Sequence, residues 1–217
     1  MKTGALQTLK KISAAFLVLL ACRSCLAGSA SEPTSSGDWS DSIKDPTNFS
    51  CLKARLVISE ASDNSGSRTA VTYIEFQNQD HMVNTLYVYW GGTNSTLDCE
   101  LRDSSGKAIP RAMSVYNGVV PDPCWLVLPD DSILRFRPSP CLWLASNGEL
   151  VIGAGWSCWR IPSGDTNDYY LSGTLTLTIP NGIRPPTLPG NKIQTMPWQG
   201  TLKLPPVKIS RKSPLGK

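Results

Sequence analysis

The feature that most constrains this 217-residue chain is a strict two-residue alternation across residues 169–179. One set of positions is mainly apolar: Tyr169, Leu171, Gly173, Leu175, Leu177 and Ile179. The other set carries hydroxyl groups: Tyr170, Ser172, Thr174, Thr176 and Thr178. Successive side chains of a strand point to opposite faces, so a period of two excludes an amphipathic helix here. The segment is predicted to be a half-buried β-strand.

Shorter segments of the same kind begin at residue 51 and are separated by turn residues. They are residues 52–60, 69–77, 86–90, 97–102, 124–128, 132–137, 150–153 and 158–161. Residues 86–90 are apolar on both faces, which indicates a central strand covered on both sides. Residues 103–106 are predicted to form a turn. Pro129-Asp130-Asp131 predicts two strands joined by a tight turn.

Two segments near the end of the chain share one pattern. Residues 171–177 (LSGTLTL) and 198–204 (WQGTLKL) match in spacing. Two copies do not make a repeat architecture, so they predict two similar strands. Each contains a glycine, which is expected where a bulge or a bulky neighbour comes close.

About nine to ten strands and no convincing helix predict an all-β, two-sheet sandwich. Four segments carry a resemblance: Phe76-Gln77-Asn78, and residues 101–107, 126–129 and 168–173. Together they resemble bacterial secreted immunoglobulin-like domains, inhibitor-type modules included, over about residues 50–180. The resemblance implies an immunoglobulin-like topology. In an inhibitor, a surface loop such as residues 115–124 would occupy a protease cleft.

The N-terminus has the layout of a secretory signal. Lys2, Lys10 and Lys11 precede an uncharged apolar run at residues 12–21, and small residues follow at 25–30. Such a run is too short to span a bilayer and is typical of a cleaved leader. We predict a signal peptide at 1–27, a flexible spacer at 28–49, a sandwich domain at 50–210 and a basic tail at 211–217.

A second way of processing the leader stays open. Leu19-Leu20-Ala21-Cys22 resembles a bacterial lipobox, in which case the signal is residues 1–21. Cys22 would then be acylated and would tether the protein to a membrane. Either outcome predicts an exported protein, secreted or attached to the cell envelope.

The basic net charge belongs largely to the leader. Residues 1–27 hold four bases and no acid, so the formal charge of +4 falls to zero after cleavage. We therefore predict no nucleic-acid partner. Residues 169–217 hold seven bases and no acid. Either these bases are offset by acidic neighbours within the domain, or they form a basic contact surface.

Export makes disulfides possible. The candidates in the secreted region are Cys51, Cys99, Cys124, Cys141 and Cys158. Five cysteines allow two bridges and one free thiol, whereas lipidation of Cys22 would retain Cys25 and leave six to pair. The spacing of the cysteines and the single histidine predict no metal site and no cofactor.

Seven tryptophans are unusual in a chain of this size. Core packing is one explanation, because tryptophan is highly buried on average. Trp143, Trp156 and Trp159 lie in less regular segments near Cys141 and Cys158. Those three are also candidates for an exposed patch that binds a protein or a glycan.

The sequence lacks the common catalytic motifs. His81 is the only imidazole and lies in a polar turn, and there is no nucleophile elbow or phosphate-binding loop. We predict a non-enzymatic exported β-sandwich with a binding or structural role. The alternatives are a proteinase-inhibitor-like module and a secreted hydrolase that uses two carboxylates of one groove.

Overall fold

Extended backbone accounts for all regular structure that the computed structural model describes. The described residues are 35–41, 43–44, 51–62, 66–79, 81–89, 95–112, 122–138, 145, 148–186 and 196–210. Within those ranges the structure contains no helix long and apolar enough to span a membrane. Thirteen strands occur there: β1 Ser35–Ser36, β2 Ile43–Lys44, β3 Cys51–Ser62, β4 Arg68–Asn78, β5 Asn84–Val88, β6 Ser95–Asp103, β7 Cys124–Leu128, β8 Ile133–Phe136, β9 Leu150–Ala154, β10 Ser157–Ile161, β11 Tyr169–Leu177, β12 Met196–Trp198 and β13 Gly200–Ile209.

The strands form three sheets, none of them closed into a barrel. Sheet A has the order β1-β3-β4-β9-β10, with β2 beside β3 and β8 beside β4. Sheet B has the order β12-β5-β7, and sheet C has the order β13-β11-β6. Pairing is antiparallel except for β4 with β9 and β12 with β5. The all-β prediction is confirmed, and the arrangement is consistent with a β-sandwich.

One hydrophobic core receives side chains from all three sheets. In β6 and β11 the apolar positions alternate inward as predicted, and Leu171 and Leu175 are fully buried. Burying such a leucine contributes about 1.5–3 kcal/mol. Strand β5 is buried at every position, which confirms the central strand predicted at 86–90. Trp90 lies outside the described residues.

The two segments of matching pattern are antiparallel neighbours, β11 and β13. Leu171 pairs with Val207 and Gly173 with Leu204, so two residues of β13 stand opposite Ser172. Those two residues, 205–206, are prolines, which lack the N–H needed for ladder pairing. At the start of β13, Gly200 lies 3.2 Å from the Trp198 ring, measured from an ideal Cβ position. The bulky Trp198 ring therefore explains the glycine at 200, and the bulge lies opposite Ser172, directly before the glycine at 173.

The tight turn after β7 is present, but it joins strands of different sheets. Strand β7 pairs with β5 in sheet B, whereas β8 pairs with β4 in sheet A. The buried Asn78 side chain holds this crossing, because its amide donates to the carbonyls of Leu128 (3.1 Å) and Pro129 (2.9 Å). Asn84 in turn donates to the Asn78 side-chain oxygen at 2.6 Å. Asp131 completes the turn with φ at 49°.

Part of the segment predicted as a flexible spacer belongs to sheet A instead. Strands β1 and β2 both pair with β3. The backbone N–H groups of Gly37 and Ser40 donate to β3 carbonyls at 2.9 and 2.8 Å. The Trp39 ring lies 4.4 Å from the Arg55 guanidinium carbon. Small side chains let this segment follow the strand closely, so hydrogen bonding orders it without large apolar groups.

Candidate functional site

The outward-facing side chains of sheet C form a continuous polar face. Since neighbours along a strand point to opposite sides, burying every second residue of β6, β11 and β13 turns the others to solvent. We call these outward residues the polar face. They are Thr96, Asp98, Glu100 and Arg102 of β6, Tyr170, Ser172, Thr174 and Thr176 of β11, and Thr201, Lys203 and Lys208 of β13.

An open groove of about 650 Å³ lies in the middle of this face. Its polar lining consists of Asp98, Glu100, Arg111, Ser172, Thr174 and Lys203. The register places Thr174 directly between Asp98 and Lys203. The groove therefore presents hydroxyl groups along its centre and charged groups on both sides.

Each carboxylate of the groove is engaged by an arginine. Arg102 donates to both carboxylate oxygens of Glu100, at 2.8 and 3.1 Å. Arg111 forms an ion pair with Asp98 and also donates to the Cys99 carbonyl at 2.6 Å. Both carboxylates of the groove therefore have a guanidinium partner at the surface.

Arg111 lies on a segment that runs back along the outer edge of β6, which we call the edge segment (residues 107–112). Its Ile109 N–H donates to the Leu101 carbonyl at 2.8 Å. The Trp159 indole N–H donates to the Ile109 carbonyl at 3.1 Å. The Ala112 N–H donates to the Cys158 carbonyl of sheet A at 2.8 Å. These hydrogen bonds attach the edge segment, which forms one side of the groove, to sheet C and to sheet A.

The predicted turn at 103–106 starts the edge segment. The Asp103 carboxylate accepts hydrogen bonds from the Ser105 hydroxyl (2.6 Å), the Ser105 N–H (2.9 Å) and the Lys107 N–H (3.0 Å). The Ser105 hydroxyl contributes most to lowering the pKa of Asp103, and the two backbone bonds add to it. Gly106 has φ at 84°, a conformation that favours glycine.

Beneath the groove, Gly173 leaves room for the Cys99 thiol. A Cβ at Gly173 would lie 2.9 Å from the Cys99 sulfur and 3.0 Å from the Asp98 carbonyl oxygen. Burial, with a smaller contribution from the Asp98 charge, raises the pKa of Cys99 to about 12. The thiol therefore stays protonated near neutral pH, which excludes it as a nucleophile for the groove.

Two of the three candidate tryptophans, Trp156 and Trp159, lie in the described part of the chain. Trp159 is fully buried in the core, where its ring packs with the neighbouring apolar side chains. Trp156 is half-buried and also packs against the core. Trp143 lies outside the described residues. Trp159 is also one of the residues that line the groove.

No disulfide joins any two of the four described cysteines, Cys51, Cys99, Cys124 and Cys158. A disulfide requires two Cα atoms within about 7 Å. Cys51 and Cys158 lie in β3 and β10, which β4 and β9 separate within sheet A. Cys99 faces the core from sheet C, and Cys124 begins β7 of sheet B.

Several predicted features fall outside the described residues. They are the leader at 1–27, Cys22, Cys25, Cys141, the tail at 211–217 and most of the loop at 115–124.

The remaining polar candidates have structural partners or face solvent. His81 is exposed between β4 and β5. The Asp165 carboxylate accepts the Asn167 N–H at 2.8 Å, as in a simple Asx turn. Asp168 pairs with Lys208 at 2.6 Å, and that hydrogen bond and charge raise the pKa of Lys208. In the described part of the chain, no group of three or more His, Cys, Asp or Glu residues is arranged to hold a metal ion.

No protein-family model matches the chain, and no curated protein or solved structure matches it either. The groove was not predicted from the sequence. Its signal was the polar set of alternating positions, Asp98-Glu100-Arg102 in β6 and Ser172-Thr174-Thr176 in β11. One half of this alternation marks the buried face, and the other half marks the polar residues that line the groove.

Proposed function

We propose that the protein is an exported, non-enzymatic binding domain that holds a polar partner in the groove of sheet C. In this proposal the fold is an immunoglobulin-like sandwich, and binding takes place at the cell envelope or outside the cell. The N-terminal layout of bases, apolar run and small residues supports export. The resemblance of residues 50–180 to secreted immunoglobulin-like domains supports the type of sandwich.

The observation that carries the proposal is a groove built on a paired sheet rather than on loops. Its volume of about 650 Å³ falls within the range of ligand-binding clefts, roughly 300–1,000 Å³. Its walls are β6, β11, β13 and the hydrogen-bonded edge segment. A site on such elements is formed before the ligand arrives, which reduces the entropy lost on binding. The hydroxyl and charged lining favours a polar ligand.

Binding is favoured over hydrolysis because Asp98 and Glu100 are already paired with Arg111 and Arg102. A glycosidase needs one carboxyl group kept protonated opposite a second that is ionised. Both groove carboxylates instead have a guanidinium partner. The same partners hold the carboxylates in place as hydrogen-bond acceptors for a ligand.

Filling the groove tests this proposal. We expect the purified exported protein to sediment with isolated cell envelopes of the producing organism. Thr174→Trp, at the groove centre, should weaken that association at least 10-fold because the indole occupies the ligand volume. Thr96→Trp is the matched control, since Thr96 is exposed on the same face and does not line the groove. Equal association of wild type and Thr174→Trp, with matching thermal unfolding, would contradict a groove-based function.

Export is tested separately by the intact mass of the native protein. A chain that begins at residue 28, or at an acylated Cys22, is the expected result. A mass that corresponds to an uncut Met1 start would reject export and with it the proposed location.

A further inference from the structure

We propose further that the ligand of the groove is an oligosaccharide chain that lies along β11 and carries an acidic sugar. This inference rests on the proposed binding function of the groove and names the class of its ligand. Three features of the polar face support it: a row of hydroxyl groups, an exposed aromatic ring next to the groove, and a lysine without an ion-pair partner.

The row of hydroxyl groups follows the central strand of sheet C. Ser172, Thr174 and Thr176 point outward at every second position of β11. Positions two apart in a strand are separated by roughly 7 Å, so the row extends about 13 Å. Each hydroxyl both donates and accepts hydrogen bonds, as sugar hydroxyl groups do. The Thr176 and Thr201 hydroxyls already lie 3.1 Å apart, which closes this end of the row.

An aromatic ring stands at the opposite end of the row. Tyr170 is 37% exposed and is the only large apolar side chain of the described polar face that reaches solvent to this extent. Its register partners are Arg102 on β6 and Lys208 on β13. Tyr170 is two residues from Ser172, which lines the groove. A flat ring in this position can pack against the C–H face of a sugar while its hydroxyl group remains in water.

The charges of the groove favour an acidic sugar. Asp98 and Glu100 are matched by Arg111 and Arg102, whereas Lys203 forms no ion pair with any described residue. Once each carboxylate is matched with its arginine, Lys203 remains as the groove lysine without an ion-pair partner among the described residues, and the register places it directly beside Thr174. An ammonium group is a point charge that attracts a carboxylate without fixing its orientation. A uronic acid at the centre of the oligosaccharide would place its carboxylate next to the Lys203 ammonium group.

A protein partner fits the same face less well. Protein interfaces are organised around buried aromatic and aliphatic anchors, and charged residues are depleted from their centre. Here the centre is hydroxylated and charged, and the other exposed large apolar side chains of the described residues, Met82, Ile133 and Ile183, lie on different elements. Addition of a peptide strand is also excluded at the groove, because β11 is paired on both edges.

Calorimetry with defined tetrasaccharides tests the inference on the purified exported protein. The probes are tetragalacturonate, tetramannuronate and a hyaluronan tetrasaccharide, with cellotetraose as the neutral match. At least one acidic probe should bind 10-fold or more tightly than cellotetraose. Lys203→Met should remove most of that preference, whereas Lys53→Met, which changes a lysine of β3 in sheet A away from the groove, should retain it. Tyr170→Ala should weaken binding of the acidic probe about 10-fold, whereas Tyr170→Phe, which keeps the aromatic ring, should bind it as wild type does.

The outcomes separate this inference from the function on which it rests. If no probe binds, while envelopes retain wild type and lose Thr174→Trp, the groove functions but its ligand is not an acidic oligosaccharide. Loss of that envelope binding after protease treatment of the envelopes would identify a protein ligand and overturn the inference. If Thr174→Trp binds envelopes as wild type does, the groove function itself fails. Binding of the acidic probes that is unchanged in Lys203→Met and Tyr170→Ala would also overturn the inference.

Discussion

The outer faces of sheets A and C both pair a glutamate with arginine, yet they place it in opposite surroundings. On sheet A the Glu75 side chain is 6% exposed and lies between Arg55 and Arg135, at 2.8 and 2.7 Å. On sheet C the Glu100 side chain is 49% exposed and pairs with Arg102 alone. The first arrangement is part of the packing of three adjacent strands, whereas the second leaves its charges at the surface. The groove lies on the second face.

The environment of Glu75 explains why its charge is tolerated. Burial alone would raise the pKa of Glu75, but hydrogen bonds and charge from Arg135 and Arg55 outweigh it and lower the pKa. Trp39 covers the other side of the Arg55 guanidinium. We call Arg55, Glu75 and Arg135 the sheet A triad. The carboxylate of Glu75 and the two guanidinium groups neutralise one another's charge. Removing the carboxylate would leave two positive charges side by side without a counter-charge.

Glu75→Gln is expected to have the largest effect on stability. It removes the only carboxylate between two guanidinium groups, and we expect a loss of about 3 kcal/mol, the lower end for a broken buried pair. Glu100→Gln is the matched variant on sheet C and should change stability by less than about 0.5 kcal/mol. Urea unfolding of the two variants measures both values. Equal losses would show that the two faces do not differ as described.

Gly173→Ala is expected to have the second largest effect, a loss of about 2 kcal/mol in the free energy of unfolding. The new methyl group would come too close to the Cys99 sulfur and to a backbone carbonyl. The double variant with Cys99→Ala should recover part of the loss, since only the carbonyl contact then remains. Ser172→Ala, the outward neighbour, is the control and should stay within about 0.5 kcal/mol. Chemical unfolding of the three variants gives the comparison. Full stability of Gly173→Ala would contradict the tight packing beneath the groove.

The smallest expected effect is a pH dependence of the stability that the Glu75 carboxylate contributes to the sheet A triad. Because the folded-state pKa of Glu75 is lowered, its stabilising contribution is present above the ordinary value of 4.5 and is lost as the pH falls through the folded-state pKa. The stability difference between wild type and Glu75→Gln should therefore shrink below about pH 4.5. Urea midpoints from pH 7 to pH 3 test this. A difference that stays constant across the range would count against an ionised Glu75 in the folded protein.

The local sequence pattern was sufficient to predict most of the strands, but not which strands pair with each other. The alternation in β6 and β11 depends on residues two apart, so it is visible in any short window of sequence. The crossing after β7 depends on Asn78, which is about 50 residues away along the chain. Glu75 finds Arg55 and Arg135 at separations of 20 and 60 residues. Such pairs are fixed by strand order, which local periodicity does not specify.

Composition was misleading where hydrogen bonding replaced apolar burial. Residues 28–49 contain few large apolar groups, which predicts a flexible spacer, yet residues 35–36 and 43–44 within it pair with β3. The short segment around Trp159 left both explanations of this residue open, although its indole N–H donates to the carbonyl of Ile109 on the edge segment. In both cases the deciding contact lies on another part of the chain.

The proline pair at 205–206 has a consequence for how molecules of this protein meet one another. Strand β13 is the edge of sheet C in the described part of the chain. A second copy that approached to extend the sheet would find no amide hydrogen at two successive positions. Near this edge, the Lys208 carbonyl already accepts the Ser35 hydroxyl at 2.9 Å. The proline pair thus reduces the number of backbone hydrogen bonds that this edge can offer to a strand of a second copy.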